Sequence, residues 1–142
     1  MNQQLIECVP NFSEGRDLGI IKQITNEIES VEGVKLLDVD PGAATNRTVV
    51  TFVGTPQAVV DAAFKAIVKA GELIDMSKHS GEHARMGATD VCPFIPVANI
   101  TMEETAKWAT TLAQKVGEST TIPVYLYGES QPNKNRNVLS II

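Results

Sequence analysis

The feature that most constrains the fold is the order in which two hydrophobic periodicities alternate along the sequence. Short runs rich in β-branched residues are separated by longer segments in which apolar residues recur every three or four positions. The first pattern is typical of β-strands and the second of amphipathic helices. The order from the N-terminus is strand, helix, strand, strand, helix, strand, followed by one more helix and strand. This order predicts an α+β fold.

Five segments carry the strand pattern. The second and third predicted strands are separated only by the turn-prone residues 41–46, so we expect them to form a hairpin. Proline cannot donate to a strand ladder, and Pro93 and Pro96 therefore place the fourth strand at a sheet edge or at a β-bulge. The predicted strands are 5–10, 34–40, 48–53, 91–97 and 122–127.

Three segments carry the helix pattern, and their ends have recognisable signals. The predicted helices are 18–31, 56–76 and 102–116. Asp17 or Ser13 is suited to cap the first helix, and Pro56 occupies the first turn of the second. A capping box formed by Thr101 and Glu104 opens the third helix, which Gly117 is expected to end; glycine also follows the first helix.

The order of elements matches the split βαβ arrangement of ferredoxin-like domains. A right-handed crossover makes the first two strands parallel, and the third runs back between them. We therefore expect several polar segments to meet at one rim of the sheet, and the two-residue period places Asp38 and Asp40 on one strand face. The residues expected at this rim are Asn11, Asp38, Asp40, Asn46, Arg47, Asp90 and the loop from His79 to Arg85.

Composition bounds the class of protein. The 142 residues are 43% hydrophobic and 20% charged, which suits a single globular domain, 1–142. The net charge of −5 and the isoelectric point near 5.0 argue against a nucleic-acid partner. No signal peptide or apolar run of about 20 residues is recognisable, so we expect no membrane partner and a cytoplasmic location. Cys8 and Cys92 lie in apolar runs, and we expect both thiols to stay reduced.

Residues 78–87 contain both histidines of the chain, His79 and His83. Histidine is suited to general acid and base catalysis because its side chain titrates near neutral pH. An equally simple interpretation is a polar loop whose histidines interact with the C-terminal end of the second helix. His79, Glu82 and His83 also match the zinc-binding pattern H-x-x-E-H. That pattern requires a helix, which Gly81 disfavours, so we predict no metal site.

Other polar residues have structural interpretations as well. Asp38 and Asp40 are consistent with a strand end that turns into solvent. Asn11 and Asn46 are typical of turns, because asparagine side chains mimic the turn backbone. Arg47 is expected to pair with a neighbouring carboxylate. None of these positions specifies a function by itself.

Seven segments, taken in order, resemble the N-terminal subdomain of glutamate formimidoyltransferase. The longest contains His83, and together the segments extend over nearly the whole chain. They are 7–15 (ECVPNFSEG), 36–40 (LLDVD), 46–49 (NRTV), 51–54 (TFVG), 73–76 (LIDM), 81–94 (GEHARMGATDVCPF) and 123–129 (PVYLYGE). The resemblance implies a ferredoxin-like fold in each of two subdomains. Ala84 stands where this family usually has proline.

The resemblance also implies a reaction. The family transfers a formimidoyl group from N-formimidoyl-L-glutamate to N5 of tetrahydrofolate, its co-substrate, in histidine degradation. The implied catalytic residue is His83; Asn11, Asp40 and Arg47 are implied substrate or folate contacts, and His79 is an implied partner of the catalytic histidine.

The family's ligand lies between two subdomains, so the resemblance implies a pocket with only one wall in this chain. We therefore expect the chain to be a fragment or one half of a split enzyme, with a partner chain that supplies the C-terminal subdomain. We also expect a homo-oligomer. The alternatives are a module that binds folate or protein without turnover and, least favoured, a zinc hydrolase.

Overall fold

The computed structural model describes residues 3–74, 89–119, 124–127 and 138–141. Helices and strands alternate in these ranges, and the α+β prediction is confirmed. The helices are α1 (Leu18–Glu29), α2 (Pro56–Leu73) and α3 (Met102–Ser119). The strands are β1 (Leu5–Cys8), β2 (Asn11–Phe12), β3 (Val34–Gly42), β4 (Arg47–Gly54), β5 (Thr89–Val91), β6 (Phe94–Ala98), β7 (Val124–Tyr127) and β8 (Val138–Ile141).

The helix starts agree with the sequence signals. The Asp17 carboxylate accepts hydrogen bonds from the amides of Gly19 and Ile20, so Asp17 rather than Ser13 caps α1. The predicted capping box at α3 is present. Its Thr101 hydroxyl accepts from the Glu104 amide at 3.0 Å, and the Glu104 carboxylate accepts from the Thr101 amide at 3.1 Å. Pairing at this helix start therefore satisfies amides that have no partner inside the helix.

The predicted ends of all three helices were wrong, and α1 ends at Glu29 rather than at residue 31. α2 ends at Leu73 rather than near 76, because Ile74 turns to an extended conformation and its side chain is buried. α3 continues through Gly117 to Ser119. Gly33 is the one glycine with positive φ among the described residues, so Gly117 does not adopt the left-handed conformation with which glycine ends many helices.

The sheet has the strand arrangement expected from the order of elements. β4 lies between β1 and β3 and is antiparallel to both, so β1 and β3 are parallel to each other. β6 pairs with the other edge of β1. β2 and β5 extend this arrangement, because β2 pairs with both β4 and β5. β8 joins β5 to β7 and was not predicted as a strand.

The predicted strands 5–10 and 91–97 are each divided in two, and the single-strand prediction was wrong for both. A proline lies in each interruption, Pro10 between β1 and β2 and Pro93 between β5 and β6. The two interruptions face each other, since the Val9 amide donates to the Pro93 carbonyl at 3.2 Å. The predicted bulge in the fourth strand is present in β6, where the register shifts between Pro96 and Ala98.

The three helices pack on one face of the sheet. Side chains of β4 alternate between buried and partly exposed, with Thr48, Val50 and Phe52 on the buried face. The core combines this face with apolar residues of all three helices, including Ile24, Val59 and Leu112. The opposite face carries the partly exposed residues of β4, and we call it the open face. In the part of the chain that the structure describes, no helix is long and apolar enough to cross a membrane.

Candidate functional site

Three of the residues implied by the resemblance lie together on the open face. Val49 of β4 is paired with Asn11 of β2 on one side and with Asp40 of β3 on the other. Paired residues of neighbouring strands project from the same face of a sheet. Asn11 and Asp40 therefore flank Val49 on the open face, and Asp40 is exposed to solvent.

Arg47 extends this row by one position. It lies two residues before Val49 on the same strand face and is paired with Gly42. It is thus a diagonal neighbour of both Asn11 and Asp40, at roughly 7–8 Å between backbones, a distance that an arginine side chain can span. The predicted meeting of these residues at one rim of the sheet is confirmed.

Asp38 also lies on this face. It is paired with Thr51 and Asp40 with Val49, so the two carboxylates project in the same direction, as the two-residue period predicted. The strand contains a register shift at Leu37, between Leu36 and Asp38, and the alternation of faces resumes after it. The open face near the rim thus carries two carboxylates, one guanidinium and one carboxamide.

The segment that follows β2 is packed tightly against the turn between β3 and β4. The Gly15 amide donates to the Asn46 carboxamide oxygen at 2.9 Å, and the Thr48 hydroxyl donates to the Glu14 carbonyl. A Cβ atom at Gly15 would lie 2.3 Å from the Gly42 carbonyl oxygen and 2.6 Å from two backbone atoms of Arg47. Gly15 is therefore required for the close approach of the two backbones.

Glu14 has a structural role in the same segment. Its side chain is 8% exposed, and one carboxylate oxygen accepts from the amides of Arg16 at 3.1 Å and Asp17 at 3.0 Å. Burying a carboxylate without partners is costly, and these two backbone hydrogen bonds reduce that cost for Glu14. Sequence reasoning did not assign a role to Glu14 or a tertiary contact to Gly15; the available signal was a glycine in a loop, which permits a close approach of two backbones because it has no Cβ.

Asn46 forms the other side of this contact. Its φ of 54° lies in the left-handed region, where asparagine is the best tolerated residue after glycine, and its amide donates to the Ala43 carbonyl at 3.3 Å. The side chain is buried, with 5% of its surface exposed. The prediction that Asn46 stabilises a turn is confirmed, and the structure adds its bond to Gly15.

His79, His83, Glu82 and Arg85 lie outside the described residues, as do the predicted zinc pattern and the side chain of Asp90. The described chain stops at Ile74, resumes at Thr89, and pairs there with Phe12, the neighbour of Asn11. Thr89, where the described chain resumes, therefore lies beside the rim. In residues 3–74 and 89–119 and the two short strands beyond, no group of three or more His, Cys, Asp or Glu residues is placed to hold a metal ion.

The two cysteines lie side by side, as adjacent first and fourth strands allow. Their sulfur atoms are 3.3 Å apart, and both side chains are fully buried. Burial, followed by the effects of the neighbouring Cys92 thiol and the Glu7 carboxylate, raises the pKa of the Cys8 thiol well above its ordinary value. The thiolate, which is the reactive form of cysteine, is therefore disfavoured.

Comparison with known sequences decides the family. The sequence model described as "Formiminotransferase domain, N-terminal subdomain" matches residues 5–142. The chain belongs to this family. It is 49% identical to glutamate formimidoyltransferase of Thermoplasma acidophilum over 97% of the chain, and 42% identical to the protein of the same name from Streptococcus pyogenes over 96%. It is also 55% identical to formimidoyltransferase-cyclodeaminase of Gallus gallus over 98% of the chain.

This formiminotransferase subdomain spans only part of each relative. It covers 46% of the Thermoplasma and Streptococcus proteins and 26% of the Gallus protein. Strand pairing of β2, β3 and β4 brings together Asn11, Asp40 and Arg47, the three residues of the described part of the chain that the resemblance implied as substrate or folate contacts.

Proposed function

We propose that the chain is the histidine-bearing half of a glutamate formimidoyltransferase, which transfers the formimidoyl group of N-formimidoyl-L-glutamate to N5 of tetrahydrofolate in histidine degradation. The observation that carries this proposal is the family match over residues 5–142, together with relatives of that name at 42% and 49% identity. The row of Asn11, Asp40 and Arg47 on the open face supports it, because these side chains offer polar contacts where substrates would bind.

The proposed chemistry is a transfer between two amines. The N5 nitrogen of the folate forms a bond to the formimidoyl carbon and loses a proton, and the bond from that carbon to the glutamate nitrogen then breaks as this nitrogen gains a proton. His83 is proposed to accept the first proton and donate the second, since an imidazole exchanges protons in both directions near neutral pH. His79 is proposed to orient His83.

The residues of the rim have complementary binding roles in this proposal. The Arg47 guanidinium presents parallel N–H donors that suit a substrate carboxylate. The Asp40 carboxylate can accept hydrogen bonds from ring or amino N–H groups, and the Asn11 carboxamide can both donate and accept. Opposite charges on neighbouring strands would orient a substrate that itself carries carboxylates and amines.

The proposed enzyme also needs a second subdomain, which this chain does not match. The Thermoplasma and Streptococcus relatives are about twice as long as the segment that this chain matches. Large apolar side chains on β3 and β6 are exposed, with Leu37 at 49%, Ile95 at 41% and Val97 at 51%. Exposed apolar surface of this kind is typical of a face that another protein layer covers. We propose that a partner chain supplies the C-terminal subdomain.

We also propose a fold family, a location, an oligomeric state and a co-substrate for the chain. The order β6, β1, β4, β3, with helices on one face, supports a ferredoxin-like assignment. The protein is proposed to act in the cytoplasm. It is also proposed to form a homo-oligomer. Tetrahydrofolate is the proposed co-substrate, and the proposed reaction uses no metal.

The test uses the chain alone and a joined enzyme, in which this chain replaces the matching 138 residues of the Thermoplasma relative. Formation of 5-formimidoyltetrahydrofolate and release of glutamate are measured with N-formimidoyl-L-glutamate and tetrahydrofolate. We expect transfer by the joined enzyme and little or none by the chain alone, because catalysis requires substrates held from both sides. The matched control is the joined enzyme with His83→Asn.

The other outcomes are distinct. A folded joined enzyme that binds tetrahydrofolate without transfer would favour the non-catalytic binding module. A joined enzyme with neither transfer nor binding would contradict both functions. Turnover at an ordinary enzyme rate by the chain alone would show that the second half is not needed.

A further inference from the structure

The segment after β2 and the turn before β4 flank the candidate site, and side-chain hydrogen bonds join them. Asn11 begins the segment that leads into α1, whereas Arg47 begins β4 just after the turn that follows β3. Asn46 lies in that turn, and its carboxamide oxygen accepts from the Gly15 amide in the first segment at 2.9 Å. Sequence separation between the two partners is 31 residues, so this is a tertiary contact rather than a local turn bond.

Three features stabilise the contact between Asn46 and Gly15. The left-handed conformation of Asn46, with φ of 54°, sets the direction of its side chain. The missing Cβ of Gly15 allows its backbone to approach Gly42 and Arg47. The Thr48 hydroxyl donates to the Glu14 carbonyl next to it. Because the Gly15 amide is buried, removing the Asn46 carboxamide would leave this amide without its hydrogen-bond acceptor and would weaken the contact.

The site depends on this arrangement. Asn11 is four residues from Gly15, and Arg47 directly follows Asn46 in the sequence. Pairing with Val49 holds Asn11 in the sheet, but β2 is only two residues long, so losing the contact just after it would leave Asn11 less firmly fixed relative to Arg47 and Asp40. Displacements of about 1 Å from productive geometry can reduce catalysis about 100-fold.

We propose that Asn46 is a positioning residue for formimidoyl transfer, which fixes the segment directly after β2, the strand of Asn11, against the turn that precedes Arg47 through its bond to the Gly15 amide. This inference rests on the proposed function. Asn46 acts through the two binding residues and does not itself contact substrate. A purely structural role would change stability alone, whereas a positioning role also changes the rate constants of a folded enzyme.

The experiment uses Asn46→Gly, Asn46→Asp and a control, Asn99→Gly. Glycine keeps the positive φ at position 46 and removes the carboxamide, and aspartate keeps an oxygen acceptor. Asn99 is the other residue with a left-handed conformation among the described non-glycine residues, with φ of 58°. Its side chain donates to the Gln3 carbonyl at 2.9 Å, at the opposite end of β1 from the rim. The same substitution there removes an exposed side-chain hydrogen bond far from the site and keeps the left-handed conformation.

Two quantities are measured, the amide hydrogen-exchange rate of Gly15 in the chain and the kinetic constants of the joined enzyme at a temperature where every variant is folded. In Asn46→Gly we expect Gly15 to exchange at least about tenfold faster and kcat/KM to fall about 10- to 100-fold. Asn46→Asp should recover most of both values. Asn99→Gly should leave both near those of the parent.

The remaining outcomes decide against the proposal in different ways. Unchanged Gly15 exchange in Asn46→Gly would show that the bond does not hold the segment. Faster exchange with unchanged kinetic constants would show a structural bond without a positioning role. If the parent joined enzyme shows no transfer while Gly15 exchange changes as expected, the proposed function fails, and the role of Asn46 in transfer fails with it although the bond is real.

Discussion

The sulfur atoms of Cys8 and Cys92 lie 3.3 Å apart in the core, at the point where the first and fourth predicted strands are both interrupted. Cys8 is the last residue of β1, and Cys92 lies between β5 and β6. The pair thus lies where β1 gives way to β2 and where β5 gives way to β6. Both thiols are free and fully buried.

We predict that neither cysteine reacts with a soluble thiol reagent while the chain is folded. Burial excludes the reagent, and the raised pKa of the Cys8 thiol disfavours its thiolate. Labelling of the native chain at neutral pH should be slower than labelling in urea by about 10³-fold or more, because it requires unfolding. Mass spectrometry of freshly purified protein without reductant checks the prediction of free thiols. A mass two hydrogens lower that reductant restores, or fast native labelling, would contradict it.

A second prediction concerns Gly15. Gly15→Ala should destabilise the chain by about 3 kcal/mol, at the upper end of the usual cost of overpacking, because the added methyl group meets backbone atoms that cannot rotate away. The measurement is the urea midpoint of unfolding. Gly117→Ala is the matched control: nothing lies within 4 Å of the added Cβ, and alanine favours a helix over glycine. It should raise stability by about 0.5–1 kcal/mol. Equal effects of the two substitutions would contradict the close approach at Gly15.

The elements that were predicted well have signals within a few residues. The stripes of α1 and α2 and the capping box of Thr101 and Glu104 are local patterns, and the structure confirms them. The interruptions at Pro10 and Pro93 were not predicted, although both prolines are visible in the sequence. They lie opposite each other only because β1 pairs with β6, and pairing between distant segments has no local signal. The unpredicted strand β8 depends in the same way on pairing with β5 and β7.

The candidate site shows the same limit. Topology was sufficient to bring Asn11, Asp40 and Arg47 to one rim, because strand order and the two-residue period determine it. The bond between Gly15 and Asn46 depends on how one loop packs on another, which neither periodicity nor topology specifies. The family resemblance pointed to these segments but did not reveal this contact.

A third prediction follows from the capping box of α3. Hydrogen bonds from the Thr101 amide and hydroxyl lower the pKa of the Glu104 carboxyl below its ordinary value of 4.5. A carboxyl whose pKa is lower in the folded state stabilises the fold above its unfolded pKa, and this contribution is lost as pH falls through the folded pKa. The stability difference between the parent and Glu104→Gln should therefore be present near neutral pH and shrink below about pH 4.5.

Urea denaturation from pH 7 to pH 3 measures this difference. Glu103→Gln is the control, since it removes one carboxylate from the same helix turn and leaves the capping box intact. We expect a smaller change in stability for the control. A Glu104→Gln difference that grows as pH falls would reverse the assigned sign.

The last prediction concerns the two histidines, whose assignment comes from the sequence and the family. If His83 carries the proton between the two amines, His83→Asn in the joined enzyme should preserve the fold and the affinity for tetrahydrofolate. It should lower the single-turnover rate of transfer by about 10²–10⁴-fold, the usual contribution of general acid and base catalysis. His79→Asn should cost less, because an orienting residue does not itself exchange the proton. Single-turnover transfer is measured for both variants beside the parent, with circular dichroism as the control for folding. An unimpaired His83→Asn enzyme would remove His83 from the chemistry, and equal losses from the two substitutions would mean that the roles assigned to the two histidines are not distinct.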